Sequence, residues 1–573
     1  MTSPFESPDF PAPIPDAEQR TLDACFLGPY GENDSLLERL VVEFLRDHVH
    51  WRRNFHPEDP PAIPTRASQH PAYQAFEARM RNELHQLSAA LKRSVPFHSP
   101  RYVGHMVSDL LLPGLAAQIL TLPYNPNNVT EDAAPVTLRL EMQAGLQLAR
   151  MLGWPDDPKR PDCAIGHLTS GGTLANFQSL RLALALKGFP VALRAAGVPD
   201  LGLPEDDWQA FYCGPATGSE LLGKWRHWLA GQSPEDRTRW RARVEGRRIE
   251  HLGLHAFFER HPTIGLGRDQ LRLIAARGMR LCPEALEEAL AACERDRQPV
   301  LMAVGVLGTT EYGTIDPIAA VVDARARFGA RGLGFSIHVD AAWGGYLTTL
   351  FRHPDGRLRT LDEVRQDYRQ FPMPEVHAAF AALEQVDSVT IDPHKLAYLP
   401  YGAGAFVCRD HRAMSLLTEQ ADYVFDSADS AGDALDHRHF GQFIPEGSKP
   451  GAMAAAVYVA HRVLPLDHAH FGLIPRHTVQ AAEAFRERAE RFVRDMSGRI
   501  HALVPFPPDS NLVCLALNPQ GNRKLSRANA FLQRLHAQLN SDPDQPIQVK
   551  QFFASTTTIR PAVVGARDMQ RIL

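Results

Sequence analysis

Long apolar runs are the first thing missing from this sequence. No stretch of about 18 apolar residues occurs in its 573 positions, so no transmembrane helix is expected. Paired cysteines are missing too. Seven are scattered at Cys25, Cys163, Cys213, Cys282, Cys293, Cys408 and Cys514, none in a CxxC pair. That excludes a disulfide scaffold and suits free thiols in a reducing cytoplasm. Nor is there a strong charge of either sign: the formal net charge is −5, and no basic field marks a nucleic-acid partner. Residues 1–20 lack the basic and apolar blocks of a signal or transit peptide; rich in proline and acid, they read as a loosely attached arm. What is present is 44% apolar residues, over a length that suits two or three domains of roughly 100–200 residues. This is the size of an enzyme.

Apolar residues at three- and four-residue spacing predict helices over about 35–95 and over TLRLEMQAGLQLARMLGW, 137–154. Between them, 98–128 reads as loop, ending in PYNPNNVT. From about 163 short apolar runs alternate with helical stretches: CAIGHLTS, PVLMAVGVL (299–307), LGFSIHVD (333–340) and VDSVTID (386–392). The alternation predicts an α/β fold whose mostly parallel sheet is covered on both faces. Residues 190–250 break the rhythm as a helical insertion, with Ser233 capping a helix that starts at Pro234 and an Arg run read as a solvated face. Helices return over 450–500, while NLVCLALN (511–518) and KQFFASTTTI (550–559) read as strands of a small α+β domain. The expected division is 1–150 as arm and helical segment, 151–415 as large domain, and 416–573 as a polar loop plus small domain.

Three strand ends carry candidate chemistry, because ligands gather at the carboxyl ends of strands in such sheets. In GHLTSGGTLAN, Thr169, Ser170 and Gly171 precede a helix whose free N–H groups and positive end suit a phosphate. A helix start of this kind is by itself often only a cap, and it lacks the spacing of P-loop and dinucleotide motifs. In SIHVDAAWGGYL, Asp340 ends a buried run and needs a cation or several donors; Ala341 and Ala342 leave room for a flat ring. In VDSVTIDPHKLAYLPYGAGA, Lys395 follows a buried strand beside His394, and a desolvated amine is what condenses with an aldehyde.

These strings, together with GTTEYGTID, resemble the group II decarboxylases dependent on pyridoxal 5'-phosphate (PLP), on a fold-type I scaffold. RYVGHMVSDLLLPG (101–114), YNPNNVTEDAAPVT (124–137), EGSKPGAMAAAVYVAHRVLPL (446–466) and FFASTTTIR (552–560) resemble the bacterial tyrosine decarboxylase branch in particular. The resemblance implies an amino-acid decarboxylase with Lys395 as the Schiff-base lysine and Asp340 paired with the pyridine nitrogen. It also implies Ala342 on one ring face, and Thr169, Ser170, Gly171 and His394 at the phosphate. Thr309 or Thr310 would meet the ring hydroxyl or the substrate carboxylate. His255 is the counterpart of the ring-stacking histidine, with His251 and His261 as alternatives, because the family's aromatic-Ser and Lys are absent there.

Two tyrosines compete as proton donor to the substrate Cα: Tyr401, six residues after the lysine, and Tyr423 in the polar segment 421–446. The family pattern also implies a homodimer with shared active sites, in which His105, Asn128 and Ser555 shape the substrate pocket near Gly104 and Met106. An aromatic substrate is expected. Glutamate, aspartate, histidine or diaminobutyrate as substrate, or carbon–carbon lyase or oxidative-deamination chemistry, are the rival readings. The histidine pairs His437/His439 and His468/His470 raise a metal-binding alternative, but their spacing matches no metal motif.

Overall fold

The computed structural model describes residues 15–245, 255–256, 271–417, 437–496, 498–504, 508–542, 545–558 and 570. Its main sheet contains β1 (Ile165–Thr169), β2 (His255–Ala256), β5 (Val300–Val306), β6 (Ser336–Asp340), β7 (Ser388–Ile391) and β8 (Gly404–Cys408), in the order β1-β8-β7-β6-β5-β2. Strands β2, β5, β6 and β7 pair in parallel, and β8 is antiparallel to both β7 and β1. Two small pairs stand apart: β3 (Ala276–Arg277) with β4 (Arg280–Leu281), and β9 (Ile500–Leu503) with β10 (Ala516–Pro519).

The sequence explains the layers. All five residues of β1 are buried, as are most of β5 (VLMAVGV), which fits strands covered on both faces. Helix α5 (Thr137–Leu152) lies against β1 at glycine-to-glycine distance: a Cβ on Gly145 would come within 2.3 Å of the Gly166 carbonyl oxygen. Helix α6 (Gly172–Ala196) packs on β5–β8 through Ala175, Ser179, Leu182, Ala183 and Leu186, spaced by one helical turn. The predicted insertion is α7 (Asp207–Phe211), α8 (Pro215–Ala230) and α9 (Pro234–Glu245). Ser233 Oγ accepts the Asp236 N–H at 3.1 Å, and Arg237, Arg239, Arg241 and Arg243 are exposed.

Three expectations need correcting. Residues 98–128 are not all loop, since α4 (Leu112–Thr121) starts there with Pro113 in its first turn, where proline is tolerated. Strand β8 is absent from the expected strands because the glycines and alanines of GAGAFVC carry little apolar pattern. The segment 550–558 forms no strand and makes one bridge, Tyr102 to Phe553. No described helix is long and apolar enough to cross a membrane.

Ahead of the sheet run α1 (Asp16–Cys25), α2 (Asp34–Phe55) and α3 (Pro71–Leu91). Not one residue of α3 is buried. Tyr73, Phe76, Met80, Leu84, Leu87 and Leu91, spaced by three or four and hence on one face, are 46–60% exposed.

One buried ion pair joins these layers. Lys449 Nζ bonds Glu141 Oε1 and, at 3.1 Å, the Leu168 carbonyl; Glu141 also accepts the Leu168 N–H at 2.9 Å and the Asn128 amide at 2.8 Å. The lysine is 5% exposed and the glutamate 1%. Helix α5, the end of β1 and the 446–451 turn therefore meet on a single pair of charges. Removing one member of such a pair strands the other in low dielectric. Lys449→Met and Glu141→Gln are each expected to lower unfolding free energy by about 3–5 kcal/mol. In a denaturation cycle the double variant should lose clearly less than the sum, and additive losses would overturn the pairing.

Candidate active site

The ends of β1, β6 and β7 lie at one edge of the sheet, and the start of the reversed strand β8 joins them. In register, Thr169 faces Gly404 and Asp340 faces Thr390. Beyond β7 the chain turns tightly. Lys395 N donates to the Asp392 carbonyl, and His394 N donates to the Ala403 carbonyl. This turn sets Lys395 Nζ 3.0 Å from Asp392 Oδ2, with His394 Nε2 3.5 Å from the same oxygen. Asp392 is 2% exposed, and burial pushes its carboxyl up while Lys395 and His394 oppose the shift. Burial likewise pushes the His394 imidazole down, against the pull of Asp392.

Asp340 is held differently. Its Oδ2 accepts the Asn176 amide at 2.7 Å and its Oδ1 the Ala342 N–H at 3.1 Å. The Ala342 carbonyl in turn accepts the Asp392 N–H at 3.0 Å, so one alanine fixes the backbone beside both carboxylates. Asn176 is itself aimed from behind. Its Oδ1 lies 2.7 Å from Thr390 Oγ1 and 3.0 Å from His338 Nε2, and His338 Nδ1 lies 2.8 Å from Ser388 Oγ. Burial pushes His338 down to about 3, so the ring is neutral. Because Asn176 gives its N–H to Asp340, its oxygen must accept, which puts the His338 proton on Nε2 and makes Ser388 the donor to Nδ1.

At the end of β1, Thr169 Oγ1 donates to the Gly171 carbonyl at 3.0 Å, and α6 begins at Gly172. Its first N–H groups face outward, as at every helix start. The neighbouring Ser170 N–H already binds an anionic oxygen, Glu446 Oε1, at 3.2 Å. A Cβ on Gly172 would sit 2.9 Å from Asp392 Oδ2 and 3.0 Å from the Ala342 methyl, so this turn accepts only glycine. His394 lies beside it, its Cε1 3.7 Å from a Cβ built on Gly171.

Other predicted residues are placed unequally. His105 and Ser555, 450 positions apart, meet: the His105 N–H donates to Ser555 Oγ at 3.1 Å. The His105 ring lies 6.0 Å from Trp343, and burial with the Lys395 charge holds the imidazole below its ordinary range, against the Thr310 backbone and the Glu311 charge. Thr309 spends its hydroxyl on Thr314 Oγ1 at 2.8 Å, whereas Thr310 is exposed. Tyr401 lies against His394 with ring centroids 4.8 Å apart and planes tilted by 34°, and is 66% exposed.

Asn128 is not a pocket wall. Fully buried, it spends its amide on Thr137 and Glu141, so it supports the Lys449 pair. His255 pairs with Val300, at the opposite end of β5 from Val306, which pairs with Asp340; that is roughly 20 Å along the strand. His251, His261 and Tyr423 lie outside the described residues. Among the described residues no cluster of His, Cys, Asp and Glu has the makings of a metal site, and His468 and His470 bond the Arg352 carbonyl and Asp467.

Asn176, His338 and Asp392 were missed as functional positions. All three stand inside the quoted strings TSGGTLAN, HVDAA and DPHK, and a carboxylate three residues before a lysine at a strand end was the available signal. The site tests well against PLP. Asp392 Oδ1 and His394 Nδ1 are buried polar atoms without partners, next to an amine, an oriented carboxylate and a glycine-walled helix start. Those are the groups that an aldehyde, a pyridinium and a phosphate call for.

Known proteins agree. Residues 260–366 match the pyridoxal-dependent decarboxylase conserved domain. An L-tyrosine decarboxylase of Levilactobacillus brevis is 32% identical over 540 residues, 90% of this chain and 83% of that protein. One of Enterococcus faecium is 30% identical over 94% of this chain and 88% of its own. The fold matches tryptophan decarboxylase of Catharanthus roseus in complex with L-tryptophan, at TM-score 0.54 and 15% identity over 98% of this chain and 97% of that one. By its sequence kinship, its fold and the fit of its strand-end site, this chain belongs to the group II PLP-dependent amino-acid decarboxylases.

Proposed function

We propose that the enzyme decarboxylates an aromatic L-amino acid, tyrosine or a close analogue, to the amine and CO₂. The observation that carries this reading is the His105–Ser555 contact beside Trp343. It offers a polar pair and an aromatic wall where an acidic side chain would call for a free Arg or Lys. The kinship with L-tyrosine decarboxylases over about nine-tenths of the chain supports it.

When bound, PLP supplies the aldehyde that condenses with an amine and a ring that takes up the electrons of the breaking Cα–carboxylate bond. Lys395 provides the holding amine, and Asp392 orients it. Asp340, steadied by Asn176 and the Ala342 N–H, would pair with the pyridine nitrogen, and Ala342 would pack on the ring. Thr169, Ser170, Gly171 and His394 would hold the phosphate. Thr310 meets the ring hydroxyl or the substrate carboxylate, and His105 with Ser555 holds the substrate side chain. Tyr401 delivers a proton to the substrate Cα once CO₂ has left, with Tyr423 as the competing donor.

The apolar face of α3 supports a homodimer in which the N-terminal helices wrap the partner, since a face that large is not left in water. The three-part division at 150 and 415 and a cytoplasmic setting, suited to seven unpaired cysteines, complete the proposal.

Three measurements test it. With a panel of amino acids scored for CO₂ release, kcat/KM for tyrosine should exceed that for aspartate or glutamate by at least roughly a hundredfold. His105→Ala should narrow that ratio, and equal turnover of acidic substrates would overturn the substrate assignment. Tyr401→Phe should lower kcat by at least about tenfold, and if neither it nor Tyr423→Phe does so, both proton-donor assignments fail. Phe76→Asp with Leu84→Asp should convert a particle of twice the chain mass to one of single mass by light scattering. A parent protein that is already monomeric refutes the dimer.

A further inference from the structure

At the other edge of the sheet, where β6 starts at Ser336 and β7 at Ser388, lies a cavity of about 400 Å³. It is separate from the PLP site, since Ser336 and Asp340 are one strand length apart, roughly 13 Å. Its carboxylates are all spoken for. Asp387 accepts Arg325 and the Ile337 N–H, each at 2.7 Å; Asp410 takes the Arg412 guanidinium; Asp162 takes Arg160. Two lining cations have no such partner among the described residues. Lys187, on the buried side of α6, is 5% exposed; its Nζ lies 5.4 Å from the Tyr212 ring centroid, and the charge of Asp387 acts on it from beyond ion-pair distance. Arg409 stands exposed at the rim.

The isolation of Lys187 is singular within this chain. Of its eight lysines, Lys187 and Lys449 are buried, and the site lysine Lys395 is 14% exposed. Lys395 has Asp392 and Lys449 has Glu141, but among the described residues no carboxylate lies within ion-pair distance of Lys187. Burial pushes its amine down to about 8, against the pull of the Asp387 carboxylate, which is itself taken by Arg325. Buried charges are normally paired, and a cavity of this size, lined with Leu182, Leu186, Met302 and Phe335, is within the range of ligand pockets. One unpaired interior cation matches one negative charge. A dianionic phosphate would bury an excess charge among apolar side chains.

We propose that this cavity is a binding site for a small organic monocarboxylate, its carboxylate on Lys187, its hydrocarbon body against Leu182, Leu186 and Phe335, and Arg409 guarding the mouth. The cavity also abuts the catalytic machinery, because Ser388 lines it and is the donor to His338.

Calorimetric titration of the holoenzyme with phenylacetate tests the proposal, with inorganic phosphate as the comparison ion. Saturable binding of one phenylacetate per chain is expected, and weaker binding of phosphate. Lys187→Met should weaken phenylacetate roughly tenfold or more, the loss of one charged hydrogen bond. Arg409→Gln, at an exposed position, should weaken it by a smaller factor. Should Lys187→Met fail to fold, trinitrophenylation of the parent enzyme decides: phenylacetate must protect Lys187 and leave the exposed Lys224 unprotected. Absence of saturable binding, phosphate binding as tightly as phenylacetate, unchanged affinity in Lys187→Met, or absence of protection overturns the site.

Discussion

A carboxylate at the end of a buried strand must find donors, and this edge of the sheet is organised by that demand. Asp392 cannot stand alone at 2% exposure, so the 392–395 turn folds Lys395 and His394 back onto it. Asp340, one strand away, takes an amide and a backbone N–H instead, and leaves its acceptor face to a cationic partner. Glu141 repeats the theme one layer down with Lys449. Each charge is stable only with its neighbour, which ties the 446–451 turn, α5 and β1 to the same small region. Catalytic geometry here is a by-product of charge compensation in low dielectric.

Two of the six described non-glycine residues with positive φ lie at the same place. Tyr398 holds φ at +54° just after the lysine turn, and its carbonyl accepts the Leu111 N–H at 2.8 Å. Met106 holds φ at +82° next to His105. Neither is glycine, so the surrounding packing must hold both in the left-handed region. The two strained residues flank the lysine turn on one side and the His105–Ser555 contact on the other.

Much of this was legible in the sequence, and the illegible part has physical causes. Continuous apolar runs announce β5, β6 and β7, and the three strand ends mark out Thr169, Asp340 and Lys395, because burial and chemistry coincide there. Strand β8 hides because glycine and alanine carry little pattern, although Gly404 is forced by the approach of Gly171. Asn176 sits on a helix face where periodicity treats a polar residue as ordinary, and only its aim at Asp340 gives it meaning. The meeting of His105 with Ser555 spans nearly the whole chain, beyond any local signal. Asn128 misled for the opposite reason: a conspicuous turn string proved to be scaffold.

The bonded series behind Asp340 has a fixed direction. Ser388 gives to His338, His338 gives to Asn176, and Asn176 gives to Asp340. A proton wire needs every member to take a proton on one side and release one on the other. The Asn176 amide cannot do so without becoming an imidic acid. The series therefore transmits polarisation and blocks proton traffic. Asp340 can therefore exchange no proton with Ser388 along this path.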